Sequence, residues 1–207
     1  MPALPDLPRP VPPAHAALIL AGGGSTRMGG GDKGLLNYRN EPFVVHLQRL
    51  LIRVGPVALV TQQGQHAYQQ ALASVDLSFV HDRWPDRGPL AGLAAGLAWA
   101  RGQGCAGAFV APCDSPCLGE RWLQRLRSHV EDAPERVHIC TVEGRLQPLH
   151  GWYPVALEPA LTEALAKGER RAGVWVESQK PMVLDCTDLA AQFANVNTPA
   201  DHTRLAP

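Results

Sequence analysis

The stretch Leu18-Ile19-Leu20-Ala21-Gly22-Gly23-Gly24-Ser25-Thr26-Arg27-Met28-Gly29-Gly30-Gly31-Asp32-Lys33-Gly34-Leu35-Leu36 decides how the rest of the chain is read. A short apolar run, the signature of a buried strand, breaks into two glycine triplets, Gly22–Gly24 and Gly29–Gly31. Glycine lets the backbone approach a ligand closely and turn several N–H groups toward one anion. Arg27 and Lys33 add the positive charge that a polyphosphate requires. A strand running into such a loop predicts a nucleotide triphosphate site.

Two familiar phosphate loops are excluded by spacing. The Walker pattern needs Gly-Lys-Ser/Thr, whereas Lys33 sits between Asp32 and Gly34. Gly29, Gly31 and Gly34 satisfy G-x-G-x-x-G formally but lie well beyond the strand end, and the next apolar strand closes on Thr61-Gln62-Gln63 without an acid. A dinucleotide fingerprint should follow its strand directly and be answered by that acid.

Outward from the loop, short apolar strands alternate with helical patterns. Strands are predicted at 16–20, 57–60, 77–80 and 107–111, with helices over 42–54, 65–73, 88–101 and through Trp122, Leu123, Leu126 and Val130. This alternation predicts an α/β fold, a doubly wound and mostly parallel Rossmann-like sheet. Glu143-Gly144-Arg145 between two apolar runs then predicts a hairpin, an antiparallel excursion able to wall a binding site. Helices at 158–166 and 173–177, a strand near 182–184 and a last helix opening at Thr198-Pro199 complete the pattern. Residues 1–13 carry six prolines and read as an extended tail, leaving residues 14–207 as one domain.

Composition narrows the function. Lys plus Arg balance Asp plus Glu at 19 each, so net charge suggests neither nucleic acid nor an anionic membrane. No apolar run reaches a membrane span and the N-terminus lacks a signal core. Five cysteines without a C-x-x-C pair fit reduced thiols in a cytoplasmic protein. The histidines form no metal array, and His138 and His150 read as core-rim or surface residues without a role.

In open α/β sheets ligands lie beyond the carboxyl ends of strands, where strand order reverses. Ala21-Gly22, Thr61, Asp82 and Asp114 all stand at such ends. Two lone carboxylates closing apolar strands need partners, and a divalent cation with a triphosphate would satisfy both if they converge. Asp114 suits Mg²⁺, although Asp114-Ser115-Pro116 can equally cap a helix. Asp82 can likewise be a turn former. Arg170 and Arg171 after Gly168 either complement a helix dipole or bind an anion.

The motifs also carry a resemblance. Leu20 to Gly23, Arg27 to Gly30, Asp32 to Leu35, Gly88-Pro89-Leu90-Ala91-Gly92, Pro112-Cys113-Asp114-Ser115-Pro116 and Asn195-Val196-Asn197-Thr198-Pro199 occur in the order seen in molybdenum cofactor guanylyltransferases, and Gly168-Glu169-Arg170-Arg171 is similar to a further family element. The resemblance implies transfer of GMP from GTP to the terminal phosphate of molybdopterin, with release of pyrophosphate. It implies Lys33, Arg27 and Asp114 as catalytic residues, with Mg²⁺ on Asp114. Leu20, Ala21, Gly22, Lys33, Thr61, Asp82 and Asp114 would bind the nucleotide, and Asn195, Asn197 and Arg170 would lie on the acceptor side. Transient contact with molybdopterin-delivering or molybdoenzyme-maturation proteins is implied as well. Thr61 departs from the family, where an asparagine is usual, and this leaves a CTP-using cytidylyltransferase as the nearer alternative. A nucleotide-binding regulatory module is the farther one, since it has no use for Lys33 and Asp114 together.

Overall fold

The structure, a computed structural model, describes residues 15–22, 32–62, 65–82, 84, 87–196 and 201. The proline-rich tail, Arg27, Asn197 and the helix start at Thr198-Pro199 lie outside the described residues.

Strand β1 (His15–Ala21) is an interior strand of a seven-stranded sheet, third from one edge. It pairs in parallel with β4 (Val57–Thr61) on one side and with β6 (Gly107–Pro112) on the other. β4 in turn pairs in parallel with β5 (Ser78–His81). Helix α1 (Phe43–Leu51) connects β1 to β4, α2 (Gln65–Ala71) connects β4 to β5, and α3 (Pro89–Gly102) crosses back to β6. The chain therefore winds outward from β1 through β4 to β5 and then returns to β1's other flank. That reversal opens a crevice beyond the carboxyl ends of β1 and β6.

β1, β4 and β6 are apolar almost throughout because helices cover both faces. On one face Ile19 and Leu59 pack with α1 and with Trp122 and Leu126 of α4 (Glu120–Glu131). On the other, Leu18 and Val60 meet Leu90, Leu93 and Leu97 of α3.

The predicted excursion is present. β7 (His138–Val142) and β8 (Arg145–Pro154) form an antiparallel hairpin, and β8 inserts beside β6 as the strand running against its neighbours. Glu143 and Gly144 both take positive φ, 51° and 73°, as a type I′ turn requires. β9 (Met182–Asp185) adds to β7 in parallel at the sheet edge. Two further helices, α5 (Glu158–Ala166) and α6 (Ala172–Ser178), follow the hairpin.

Two features were not anticipated. β2 (Asn37–Tyr38) and β3 (Glu41–Pro42) form a small hairpin over Arg39 and Asn40, both at positive φ. β8 also bulges: Ile139 faces Gly151 while the next residue, Cys140, faces Gln147, so Pro148, Leu149 and His150 are looped out. Pro148 has no N–H to give the ladder, which favours interruption there. The Tyr153 hydroxyl donates to the Pro148 carbonyl and ties the bulge down.

Candidate active site

The crevice is a cleft of about 330 Å³ lined by Leu20, Ala21 and Gly22 at the end of β1, Lys33, Asp114 and Asn195. The β8 bulge forms its wall, with Gln147 to His150 in the lining. Bulges recur beside active sites because they re-aim side chains that a regular strand would keep in register.

Lys33 opens a single 3₁₀ turn, Lys33–Leu35, which follows the glycine-rich stretch in the sequence. The turn is fixed at Gly34, where an added Cβ would lie 2.7 Å from both the Tyr68 hydroxyl and the Val44 Cγ2. The Gly34 N–H donates to Tyr68 Oη at 3.2 Å. Only glycine fits there, so the Lys33-Gly34 step holds the lysine stem while its head reaches the cleft. Lys33 Nζ stands 4.0 Å from Asp114 Oδ2, and the two side chains are 20% and 22% exposed.

No helix opens at Asp114. The residue sits in a turn after β6, and α4 begins six residues on with Gly119 as its cap. The helix-cap alternative is therefore removed. Burial pushes the Asp114 carboxyl above its ordinary range, against the opposing pull of Lys33 and its own backbone N–H. Asp32, also in the lining, is raised by burial too. A carboxylate raised by desolvation and facing a lysine in a cleft is the kind of perturbed group that clusters at functional sites.

Asp82 is 4% exposed and already engaged. Its Oδ1 accepts the Trp84 backbone N–H at 2.8 Å and its Oδ2 accepts from Gln62 Nε2 at 3.1 Å. It lines a small recess with Thr61, Gly88 and Gly92, next to the main cleft and sharing Leu20, Gly22 and Pro89 with it. Asp82 and Asp114 do not converge: they close strands three places apart, a separation of about 14 Å at ordinary strand spacing. One cation cannot hold both.

Thr61 is 1% exposed, and its Oγ1 is the buried side-chain oxygen that lacks a hydrogen-bond partner among the described residues. Strand alternation puts its side chain on the face of Val57 and Leu59, level with Ala21. An unpaired buried hydroxyl costs free energy unless something else engages it.

Asn195 lines the cleft beside the Asp114 turn. Its neighbour Val196 donates its N–H to the Asp114 carbonyl at 2.9 Å, so the C-terminal segment runs beside the Asp114 turn. Arg170 is not in the lining. It borders a separate surface depression with Lys167, Glu169 and Arg171, where the Glu169 carboxylate accepts the Arg170 and Arg171 backbone N–H groups at 2.9 Å each.

Several site residues had no sequence signal that singled them out. Tyr68 was read only as part of a helix. Ser115 stands in the sequence only as part of Asp114-Ser115-Pro116, a possible helix opening and a family motif. His150 is corrected: it is 3% exposed at the back of the cleft, with Nε2 3.0 Å from Ser115 Oγ, and burial pulls its imidazole down to about 3. His138, by contrast, is a buried core histidine bonded to Ala133 and His129. Among the described residues no group of three metal-ligating side chains occurs, all five thiols are free, and no helix is long and apolar enough to cross a membrane.

Residues 17–182 match the family described as the MobA-like NTP transferase domain. A molybdenum cofactor guanylyltransferase of Ralstonia nicotianae is 37% identical over 202 residues, covering 91% of this chain and 94% of that protein. Among solved structures, molybdopterin-guanine dinucleotide biosynthesis protein A of Archaeoglobus fulgidus superposes with a TM-score of 0.73 at 21% identity, covering 92% of this chain and 96% of that one. Rv0371C of Mycobacterium tuberculosis, solved as a complex with manganese, has a TM-score of 0.65 at 20% identity and covers 94% and 98%. The cleft at the reversal of the sheet, with its lysine–aspartate pair, thus occurs in a nucleotidyltransferase: the chain belongs to the molybdenum cofactor guanylyltransferase family, built on a MobA-like NTP transferase domain.

Proposed function

We propose that the protein transfers GMP from GTP to the terminal phosphate of molybdopterin, releasing pyrophosphate. The observation that carries this reading is the meeting of Lys33 and Asp114, 4.0 Å apart, at the sheet's reversal point, with Asn195 in the same lining. A phosphate monoester is already an anion near neutral pH, so no general base is needed. What the reaction needs is alignment of three anionic groups and neutralisation of their charge. Lys33 holds the phosphoryl group in transit. The Leu20–Gly22 backbone and Thr61 hold the nucleoside, Asp82 shapes its recess, and Arg27 binds the departing pyrophosphate. Asn195, Asn197 and Arg170 serve the acceptor.

The carboxylate of Asp114, with Asp32 nearby in the lining, fits Mg²⁺, which takes one or two protein carboxylates and fills its shell with phosphate oxygens and water. Asp114 would hold the ion, which when bound offsets charge on the reacting phosphates. A protein that hands over molybdopterin is the expected transient partner, in a cytoplasmic setting.

The test is pyrophosphate release from GTP, CTP, ATP and UTP with Mg²⁺ and a molybdopterin-loaded acceptor. Release confined to GTP is expected. Release from CTP alone would move the protein to the cytidylyl branch. GTP binding without release would leave a regulatory module.

Thr61→Val gives a second test. It removes a hydroxyl that has no partner among the described residues without changing side-chain shape, so the ligand-free protein should gain about 1 kcal/mol. For a domain of this size that is a rise of about 2–4 °C in Tm. If Oγ1 serves the nucleoside, GTP affinity should fall at the same time. A stabilised variant that binds GTP normally would remove Thr61 from the site.

A further inference from the structure

Behind Asn195 lies a chain of polar groups that the proposed chemistry has not used. Asn195 itself is exposed, yet its Oδ1 stands 2.6 Å from Ser115 Oγ, and Ser115 is fully buried. Ser115 Oγ is in turn 3.0 Å from Nε2 of buried His150. The two distances set a direction. An amide oxygen only accepts, and 2.6 Å suits O–H···O better than N–H···O, so the serine hydrogen goes to Asn195. The serine lone pairs then face His150, whose Nε2 carries the hydrogen it donates, at the length usual for N–H···O. The chain runs His150 Nε2–H to Ser115 Oγ–H to Asn195 Oδ1.

Its anchors come from three distant parts of the fold. His150 closes the looped-out Pro148–His150 segment of β8 and packs its ring on Phe193 at 5.0 Å. Ser115 follows Asp114 directly, and Val196 after Asn195 bonds the Asp114 carbonyl. With Oδ1 engaged from behind, the Asn195 amide has its N–H₂ group left for the cleft, as two donors suited to a phosphate oxygen. An exposed asparagine would otherwise spend most of its time in other rotamers and amide orientations, and ordering it would weaken substrate binding.

We propose that Ser115 and His150 are positioning residues that lock the Asn195 amide with its N–H₂ group toward the acceptor phosphate. The proposal rests on the guanylyl-transfer reading above. It makes the β8 bulge part of the acceptor site and gives this chain's histidine a role in orientation, with no proton transferred.

The experiment is steady-state pyrophosphate release at saturating GTP with molybdopterin varied, for the wild type, Ser115→Ala, Asn195→Ala and the double variant. Each single variant should lower kcat/KM for the acceptor about tenfold, the scale of one displaced hydrogen bond to a charged group. In a second series, with GTP varied at fixed molybdopterin, the KM for GTP should stay within about twofold, and GTP should still raise Tm, which shows the fold intact. Because Ser115 acts through Asn195, the double variant should be no worse than Asn195→Ala. His150→Leu, which breaks the chain one link farther back, should behave like Ser115→Ala. His150→Gln, whose Nε2 donates from about the same place, should restore most of the activity. Multiplicative losses in the double variant, equal effects on the GTP KM, or no rescue by glutamine would overturn the relay. A wild type that releases no pyrophosphate with molybdopterin would instead overturn the transfer reading and the acceptor role with it.

Discussion

Asp114→Ala is expected to lower metal-dependent pyrophosphate release by several orders of magnitude, about 10³-fold or more. Removing one preorganised donor to a charged transition state typically costs 10²–10³ in kcat, and Asp114 would anchor a divalent ion that offsets more charge than a single donor. Asp114→Asn sharpens the argument because it keeps the shape and removes the charge. Burial holds the native Asp114 carboxyl above its ordinary pKa, so the folded state binds the proton more tightly than the unfolded state. The sign follows from linkage: ionising Asp114 at neutral pH disfavours the fold, and that cost disappears once the pH falls below the ordinary carboxylate value of about 3.9. Without metal, Asp114→Asn should therefore be inactive yet more stable than the wild type at pH 7.5. The difference in Tm should close as the pH is lowered toward 4. Thermal unfolding across that range in a chelator measures it. A variant less stable than the wild type at neutral pH would mean that Asp114 serves the fold, and its metal role would fall.

The parallel half of the fold could be read from the sequence because each element carries its own local signal. The apolar runs of β1, β4 and β6 are bounded by glycine or polar residues, and α3 shows Leu90, Leu93 and Leu97 at helical spacing with Pro89 in the first turn. The hairpin turn at Glu143-Gly144 is likewise written in two adjacent residues. Strand ends then located Gly22, Thr61, Asp82 and Asp114. Whether the two aspartates meet was left open there because strand order is a tertiary property: β5 and β6 are separated in the sheet by β4 and β1. The relay was illegible for a similar reason. Its bonds join residues 80 and 35 positions apart, and serine, histidine and asparagine each have a bland local explanation. Pro148 inside a strand was the one available clue to the bulge that delivers His150. Arg170 followed the resemblance, and the structure sets it in a neighbouring depression outside the main cleft.

Lys33→Ala is expected to reduce kcat about 10²-fold or more while changing the KM for GTP much less. The difference matters because uniform binding of substrate and transition state would appear in KM alone, whereas charge that develops during transfer appears in kcat. The position is fixed from behind by the Gly34–Tyr68 bond, so the ammonium meets the developing charge without reorganising. Lys33→Arg should recover only part of the loss. Its planar fork is bulkier than the ammonium, and 4.0 Å from Asp114 it would draw the carboxylate into a bidentate pair, competing with the metal. The pH profile supplies an independent reading. Lys33 is the cation that pulls the Asp114 carboxyl downward against burial, so its removal lets that pKa rise further. The acid limb of kcat/KM for Lys33→Ala should then move to higher pH than in the wild type, since Asp114 must ionise to hold a metal. An unshifted acid limb together with a raised KM would reduce Lys33 to a ground-state phosphate contact. The charge of the reacting phosphates would then have to be offset by Arg27, the N–H groups of the glycine-rich loop and the ion that Asp114 would hold.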